Sequence, residues 1–210
     1  MNSNFLATDR NQSLLEVAVP RAGLSATEIV AAGADLADEL GFPSLTLASL
    51  AGRLGVKPPA LYKHVDGLAD LQHRIAALAM TEFGEVLRDA LQGKSDSDAL
   101  TALFTTWREY VTAHPGRYAA TIGAEFHGAD DPLLVAGEKV INSIRAVLAG
   151  YRIQQDDLDH AIRTVRCTIH GFALLQSANA FQWSNDPDDS FAWMIGFVDA
   201  GLRALGGGRR

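Results

Sequence analysis

The chain of 210 residues is 48% hydrophobic and 20% charged, a globular balance that excludes a fibre, a disulfide scaffold and a wholly disordered chain. Its single cysteine, Cys167, precludes an intrachain disulfide, and no apolar run approaches the roughly 18 residues that span a bilayer. The start also lacks the basic-then-apolar layout of a secretion signal, so a cytoplasmic protein with no membrane partner is expected. A net charge of −7 disfavours diffuse coating of nucleic acid. The charge is unevenly spread, however: Arg53, Lys57, Lys63 and His64 lie within 53–65, with no acid among them.

In chain order, residues 1–20 are polar and without lasting period, which predicts a flexible arm. Ser25-Ala-Thr-Glu28 is a capping box; Ile29, Gly33, Leu36 and Leu40 follow at helical spacing, and Gly41 supplies a stop, predicting a helix over 26–40. Thr46 is the next N-cap, with Leu47, Leu50, Ala51 and Leu54 on one face and Gly55 as terminator. Lys57-Pro58-Pro59 opens a third short helix, to about His64, since proline is tolerated in a first turn. Asp66-Gly67 separates it from a longer helix reaching about Leu91. Further helices are predicted near 97–113, 116–123, 132–149, 156–180 and 188–205, with breaks at proline and glycine clusters. The fold class is all-α, divided into the arm of 1–20, a helix-turn-helix unit of 21–74 and a larger helical unit of 75–210.

Two short helices joined by a glycine turn, the second one basic, make a helix-turn-helix. Ala51 lets the helices cross closely, Gly55 takes the turn conformation, and Leu61 and Val65 face inward. Pro58, Pro59, Tyr62 and Lys63 then lie on other faces, where the second helix can enter a major groove of double-stranded DNA. Lys57 at the tip suits a guanine edge or a phosphate, and Pro58, Pro59 and Ala60 offer apolar contacts to a thymine methyl. Tyr62, Lys63 and His64 suit phosphates, as do the Thr46 hydroxyl and the first turn near Thr27. Arg21 can follow the backbone or enter a minor groove.

The text Leu24-Ser-Ala-Thr-Glu-Ile-Val-Ala-Ala-Gly-Ala-Asp-Leu-Ala-Asp-Glu-Leu-Gly41, Leu45-Thr-Leu-Ala-Ser-Leu-Ala-Gly-Arg-Leu-Gly-Val56 and Pro59-Ala-Leu-Tyr-Lys-His-Val-Asp-Gly-Leu68 closely resembles the DNA-binding domain of the TetR family of bacterial regulators. Tyr110-x-x-x-His-Pro-Gly-Arg-Tyr118, Arg163-x-x-Arg-x-x-x-His-Gly-Phe172 and Ser190-Phe191 resemble the effector domain called the WHG type. The resemblance implies a homodimeric regulator, as a rule a repressor, that grips a palindromic operator and is released by a small, lipophilic effector. In two places the chain departs from the family. Gly67-Leu68 stands where many members place a phosphate-binding lysine, and Arg166 stands where the domain's name points to a tryptophan.

Trp107, Tyr110, His114 and Tyr118 form an aromatic and histidine stripe that reads as plain core from pattern alone; the resemblance places an effector cavity there. Phe126, His127, Ile144, His170 and Leu174 are second-rank lining candidates. Cys167 lies three residues from His170 and one turn from Arg163, which leaves a redox-sensing regulator open beside a buried, inert thiol that packs near the cavity. Leu175, Ala178, Phe181, Phe191, Met194, Ile195, Val198 and Leu202 on the last two helices read as intrachain core, and the resemblance makes them a four-helix dimer interface. The six histidines show no His-x-x-x-His and the chain no Cys-x-x-Cys, so no metal site or cofactor is expected. Asp156, Asp157 and Asp159, and Asp186, Asp188 and Asp189, fall at helix starts, where acids suit the dipole. No nucleophile elbow or phosphate loop appears, which leaves an all-α enzyme as the opposing class, with no catalytic residues assigned.

Overall fold

The computed structural model describes residues 24–182 and 186–207; the arm of 1–20, and Arg21 with it, lies outside these residues. The first helix, α1 (Ala26–Leu40), opens on the Ser25–Glu28 capping box. The Glu28 amide donates to Ser25 Oγ at 3.2 Å, and the Ser25 amide donates to Glu28 Oε2 at 2.8 Å. Gly41, at φ +85°, ends the helix and leads into a single 3₁₀ turn, Phe42–Ser44, that the sequence reading does not contain. The second helix, α2 (Leu47–Arg53), carries a second capping box, in which Ser49 takes the place of the usual glutamate: its amide donates to Thr46 Oγ1 at 3.0 Å. Gly55 at φ +66° closes α2 in a Schellman turn, with Val56 N–H on Ala51 O at 3.0 Å and Gly55 N–H on Gly52 O at 3.2 Å.

The expected third helix is a 3₁₀ helix, Pro58–Lys63, rather than an α-helix. Two prolines in its first turn supply no amide, and the Ala60 amide bonds three residues back to Lys57 O at 2.9 Å. Then come α3 (Leu68–Leu91), α4 (Asp96–Ala113), α5 (Pro115–Ala120), α6 (Pro132–Ala149), α7 (Gln155–Ser177) and α8 (Pro187–Gly207). The largest departures from the expected ends are at α5 and α7, which stop three residues early. Beyond them Gly123 takes φ +72° and Asn179 φ +52°, conformations that cannot continue a helix. Asp156 and Asp157, and Asp188 and Asp189, do occupy first turns, of α7 and α8. No helix among the described residues is long and apolar enough to cross a membrane.

The fold is all-α, a small N-terminal helix cluster joined to a larger helical bundle. The N-terminal core is built from Ile29, Ala34, Leu36, Leu45, Leu50, Leu61, Val65, Leu71 and Ile75, all buried. Ala120 and Leu133, far along the chain, complete it. The larger core gathers Phe83, Leu87, Leu100, Leu103, Phe104, Trp107, Ile144, Val165, Ile169 and Phe191. Helix α3 runs through both, with Leu71 and Ile75 in the first and Phe83 and Leu87 in the second, and α5 (Ala120, Tyr118) and α6 (Leu133, Ile144) also reach both.

The α1–α5 contact depends on Gly116. A Cβ there would lie 2.0 Å from the Ala37 carbonyl oxygen, a backbone atom that has no room to retreat. Gly137, in the middle of α6, has open space around it. Gly116→Ala is therefore expected to destabilise the fold by about 2 kcal/mol or more. Gly137→Ala should be neutral or stabilising by up to about 1 kcal/mol. Urea unfolding of the two variants beside the unsubstituted chain checks both.

Candidate functional site

The turn between α2 and the 3₁₀ helix displays a narrow basic surface. Leu61 and Val65 are buried and anchor the 3₁₀ helix from behind, while Lys57, Pro58, Pro59, Tyr62 and Lys63 are exposed and Ala60 and His64 are half-buried. Tyr62, 59% exposed, stands out as a large aromatic left in solvent. Arg53 is withdrawn from the basic surface: both its terminal nitrogens bond the Glu39 carboxylate of α1 at 2.7 Å. This pair holds the Glu39 carboxyl below its ordinary pKa. Lys57 and Lys63 form no ion pair with any of the described residues and so remain available for phosphates. Thr27 and Thr46 are exposed near the same surface, although the Thr46 hydroxyl is already engaged by Ser49 Oγ at 2.9 Å.

A cavity of about 720 Å³ opens in the bundle. Its apolar wall comes from Met80 and Phe83 of α3, Trp107, Tyr118, Ile122, Phe126, and Leu133, Val140 and Ile141 of α6. Glu138, Asn142, Arg145 and Arg166 supply its polar groups. Neither arginine is ion-paired among the described residues, though Arg145 Nη1 donates to Asn142 Oδ1 at 3.1 Å. One wall is fixed by a chain of hydrogen bonds. Trp107 Nε1, which can only donate, gives its hydrogen to Tyr118 Oη at 3.0 Å, and that hydroxyl lies 2.8 Å from His170 Nδ1. Burial, and then the nearby Arg166 cation, lower the His170 pKa. A neutral imidazole accepts the Tyr118 hydrogen at Nδ1 and completes the chain. Burial raises the Tyr118 pKa, so its proton stays in place.

Of the ten lining candidates, Trp107, Tyr118 and Phe126 reach the cavity, and His127, next to Phe126, does not line it. His170 stands one residue behind, through Tyr118. Tyr110 is core, with its hydroxyl donating to Ala79 O at 2.9 Å. His114 turns away to the Asp38 carboxylate of α1, 3.2 Å off. Ile144 is fully buried, Leu174 is exposed, and Cys167 is exposed on α7 rather than packed near the cavity. The three- and four-residue spacing of Trp107, Tyr110 and His114 carries the stripe along α4, but a helix shows one face to the cavity and its flanks to other neighbours. Arg145 and Arg166, which the sequence reading did not assign to the cavity, are exposed residues of the amphipathic helices α6 and α7, and the one signal for them is that Arg166 stands where the domain's name points to a tryptophan.

The interface candidates separate in the same way. Phe191, Val198 and Leu202 are buried in the chain's own core, Met194 and Ile195 are half-buried against it, and Phe181 packs on Phe172 with ring centroids 4.8 Å apart. Leu175 and Ala178 are exposed. Outside that set stand Trp193, 70% exposed, and Phe197, 66% exposed, whose rings stack on the outer face of α8 at 5.4 Å. With Gly201 and Leu205 they recur every four residues, so α8 is apolar on two faces, a pattern that marks a helix covered on both sides. The histidines also cluster further than the sequence reading allowed: His73 and His127 meet Asp131 at the junction of α3 with the loop before α6.

A family profile described as "Tetracyclin repressor-like, C-terminal domain" matches residues 100–198. The chain is 31% identical over 181 residues to an uncharacterized HTH-type transcriptional regulator of Mycobacterium tuberculosis, Rv0681, covering 86% of this chain and 83% of the relative. It is 28% identical over 185 residues to another such regulator, YobS of Bacillus subtilis, covering 87% and 95%. Among solved structures, a TetR transcriptional regulator of Streptomyces coelicolor superposes with a TM-score of 0.65 at 22% identity, over 88% of this chain and all of that one. A 3₁₀ helix flanked and closed by two unpaired lysines, a cavity in the bundle and these relatives agree: the chain belongs to the TetR family of HTH-type transcriptional regulators, DNA-binding proteins rather than enzymes.

Proposed function

We propose that the protein is a homodimeric repressor that grips a palindromic operator and is released when a small effector with an apolar body and an acidic group fills the cavity. One observation carries this reading. Leu133 lines the cavity and is at the same time a buried member of the N-terminal core, beside Leu71 and Ile75 of α3. A molecule that displaces Leu133 must disturb the packing that sets the angle of the helix-turn-helix unit of 21–74. In a twofold dimer a small change of angle moves the two recognition elements off the spacing of about 34–36 Å that successive major grooves demand. The coupling is reciprocal, so operator DNA should weaken effector binding by the same factor.

The volume and the apolar side chains of the wall, set beside polar groups, suit a small molecule with a lipophilic part. The two unpaired guanidiniums, against the single Glu138 carboxylate, favour an acidic group on it. The WHG-type reading is supported by the pairing of His170 with Tyr118 and by Phe172 packed on Phe191 at 5.0 Å. In place of a tryptophan, Arg166 gives that wall a positive charge. The dimer reading is supported by the outer face of α8 with Leu175 and Ala178 of α7, where the glycines Gly196 and Gly201 leave space for a close approach.

Three outcomes test this. Lys63→Ala is expected to weaken binding to DNA from the gene's own upstream region and to lower the salt slope of log K by about one unit; a binding isotherm at several salt concentrations reads both. Arg166→Ala should weaken release of that DNA by aromatic carboxylates about tenfold, as for a lost hydrogen bond to a charged group, and leave weak responses to the matching amides within about twofold. Trp193→Asp with Phe197→Asp should convert a dimer to a monomer in sedimentation; a chain that is monomeric without these changes overturns the dimer.

A further inference from the structure

His73, His127 and Asp131 come from two segments 54 and more positions apart and meet where α3 passes the loop before α6. One candidate ligand atom of each lies within 4.8 Å of those of the others. Asp131 is the only buried charged side chain among the described residues. Its carboxylate caps α6 by accepting the Leu133 amide at 2.8 Å, accepts the His127 amide at 2.7 Å, and lies 3.0 Å from His73 Nε2. Those bonds account for Asp131 and His73 as a helix cap with one extra donor. They do not account for the His127 ring. That ring is exposed, makes no hydrogen bond to the described residues, and lies flat on His73 with centroids 4.1 Å apart and planes 14° apart.

We propose that these three side chains form a binding site for a divalent transition-metal ion of the zinc class. Two imidazoles and a carboxylate are the donor set such ions take, in preference to the all-oxygen sets of calcium and magnesium. Metal–ligand bonds of about 2.0–2.1 Å in a tetrahedron set the donor atoms about 3.3 Å apart. Closing the triad to that spacing needs ring rotations, because the 3.0 Å His73–Asp131 separation is already there. The His73 to Asp131 hydrogen bond is exchanged for two bonds to the metal, the neutral imidazole carrying its proton on Nδ1 so that the Nε2 lone pair is free to bind. The two backbone amides keep the carboxylate oriented from behind, as outer-shell donors do in metal sites. His127 faces solvent, which provides the route in and leaves a fourth position for water.

The position gives the ion its consequence. His73 follows Leu71 of the N-terminal core by two residues, and the loop carrying His127 and Asp131 also carries Phe126 and leads into Leu133 of the cavity wall. A bound ion pins that loop to α3 across the junction between the helix-turn-helix unit and the bundle. Zinc is therefore expected to alter operator affinity, a consequence that rests on the DNA-binding reading above.

The test uses the full chain without a histidine tag, freed of metal by chelation. Zinc titrated against a chromophoric chelator should load one ion per chain, and cobalt(II) should give visible absorption bands of a low-coordinate site. His127→Gln removes a ring that holds nothing else in place, and His73→Gln retains a donor for Asp131; each should weaken zinc at least tenfold, with circular dichroism and melting unchanged. Zinc that fails to bind, or that binds both variants as it binds the unsubstituted chain, overturns the site. In a parallel operator titration, zinc should shift the affinity of the unsubstituted chain at least threefold and that of His127→Gln not at all. A zinc-loaded chain with unshifted affinity overturns the pinning. A chain that binds no operator with or without zinc tells against the DNA-binding reading, while the titration still decides the site.

Discussion

The seating of α5 on α1 is the constraint from which the working geometry follows. Gly116 lets α5 lie against the Ala37 carbonyl, and the next residue, Arg117, is then driven into a pocket of carboxylates. Its guanidinium pairs with Asp35 and with Asp38 of α1, the latter at 3.0 Å, and lies 3.5 Å from Glu82 of α3, while its backbone amide donates to Asp38 at 2.8 Å. His114 completes the group beside Asp38. A guanidinium so nearly buried has lost its water, and only the surrounding acids make that tolerable; removing one partner strands the other. Such an arrangement adds little net stability over an apolar contact, but it accepts only one docking of α1 on the bundle. The Nε atom of Arg117 is buried without a hydrogen bond. The docking thus holds an unmet donor close to Glu82, and a small slide of α5 would satisfy it. Since α5 also carries Tyr118 of the cavity wall, the same short helix touches the cavity at one end and the DNA-facing cluster along its side.

The cavity wall is rigid for a related reason. The Trp107–Tyr118–His170 chain pairs the indole N–H, the phenol hydroxyl and His170 Nδ1 in turn, which fixes these three side chains relative to one another. Flexibility is left to the α6 side, where Leu133, Val140 and Ile141 pack by shape alone. An occupant therefore pushes on α6 and on the loop before it rather than on α4. The loop is anchored by Asp131, and it is also where the histidines gather.

Almost every element whose cause is local was legible in the sequence. The Ser25–Glu28 capping box, the Thr46 cap, the Gly55 turn and the inward Leu61 and Val65 are fixed by residues within a few positions of each other, and they stand where the pattern places them; that Ser49 closes a second box is seen only in the structure. What the sequence left open is set by partners far along the chain. Arg53 reads as part of a basic window until Glu39, fourteen residues earlier, is seen to neutralise it. Tyr110 and His114 share a helical stripe with Trp107, yet face Ala79 and Asp38 instead of the cavity, because α4 is surrounded by α3 and α5 on its flanks. Cys167 looks like core by type, but its register on α7 puts it in solvent between the buried Val165 and Ile169. On α8 both apolar stripes are visible in the sequence, and only the packing tells which of them the chain itself covers.

The 3₁₀ form of the recognition element bears on how a signal reaches DNA. A helix of six residues opening on two prolines has too few internal hydrogen bonds to hold its own position in water. It is located by what its buried side touches: Leu61 and Val65 in the core shared with Leu71, Ile75, Ala120 and Leu133. Two of those last four residues belong to α5 and α6 of the bundle. On the reading proposed above, the surface that meets a groove rests on a core to which Leu133 of the cavity wall also belongs, and that shared residue is the path from cavity to DNA.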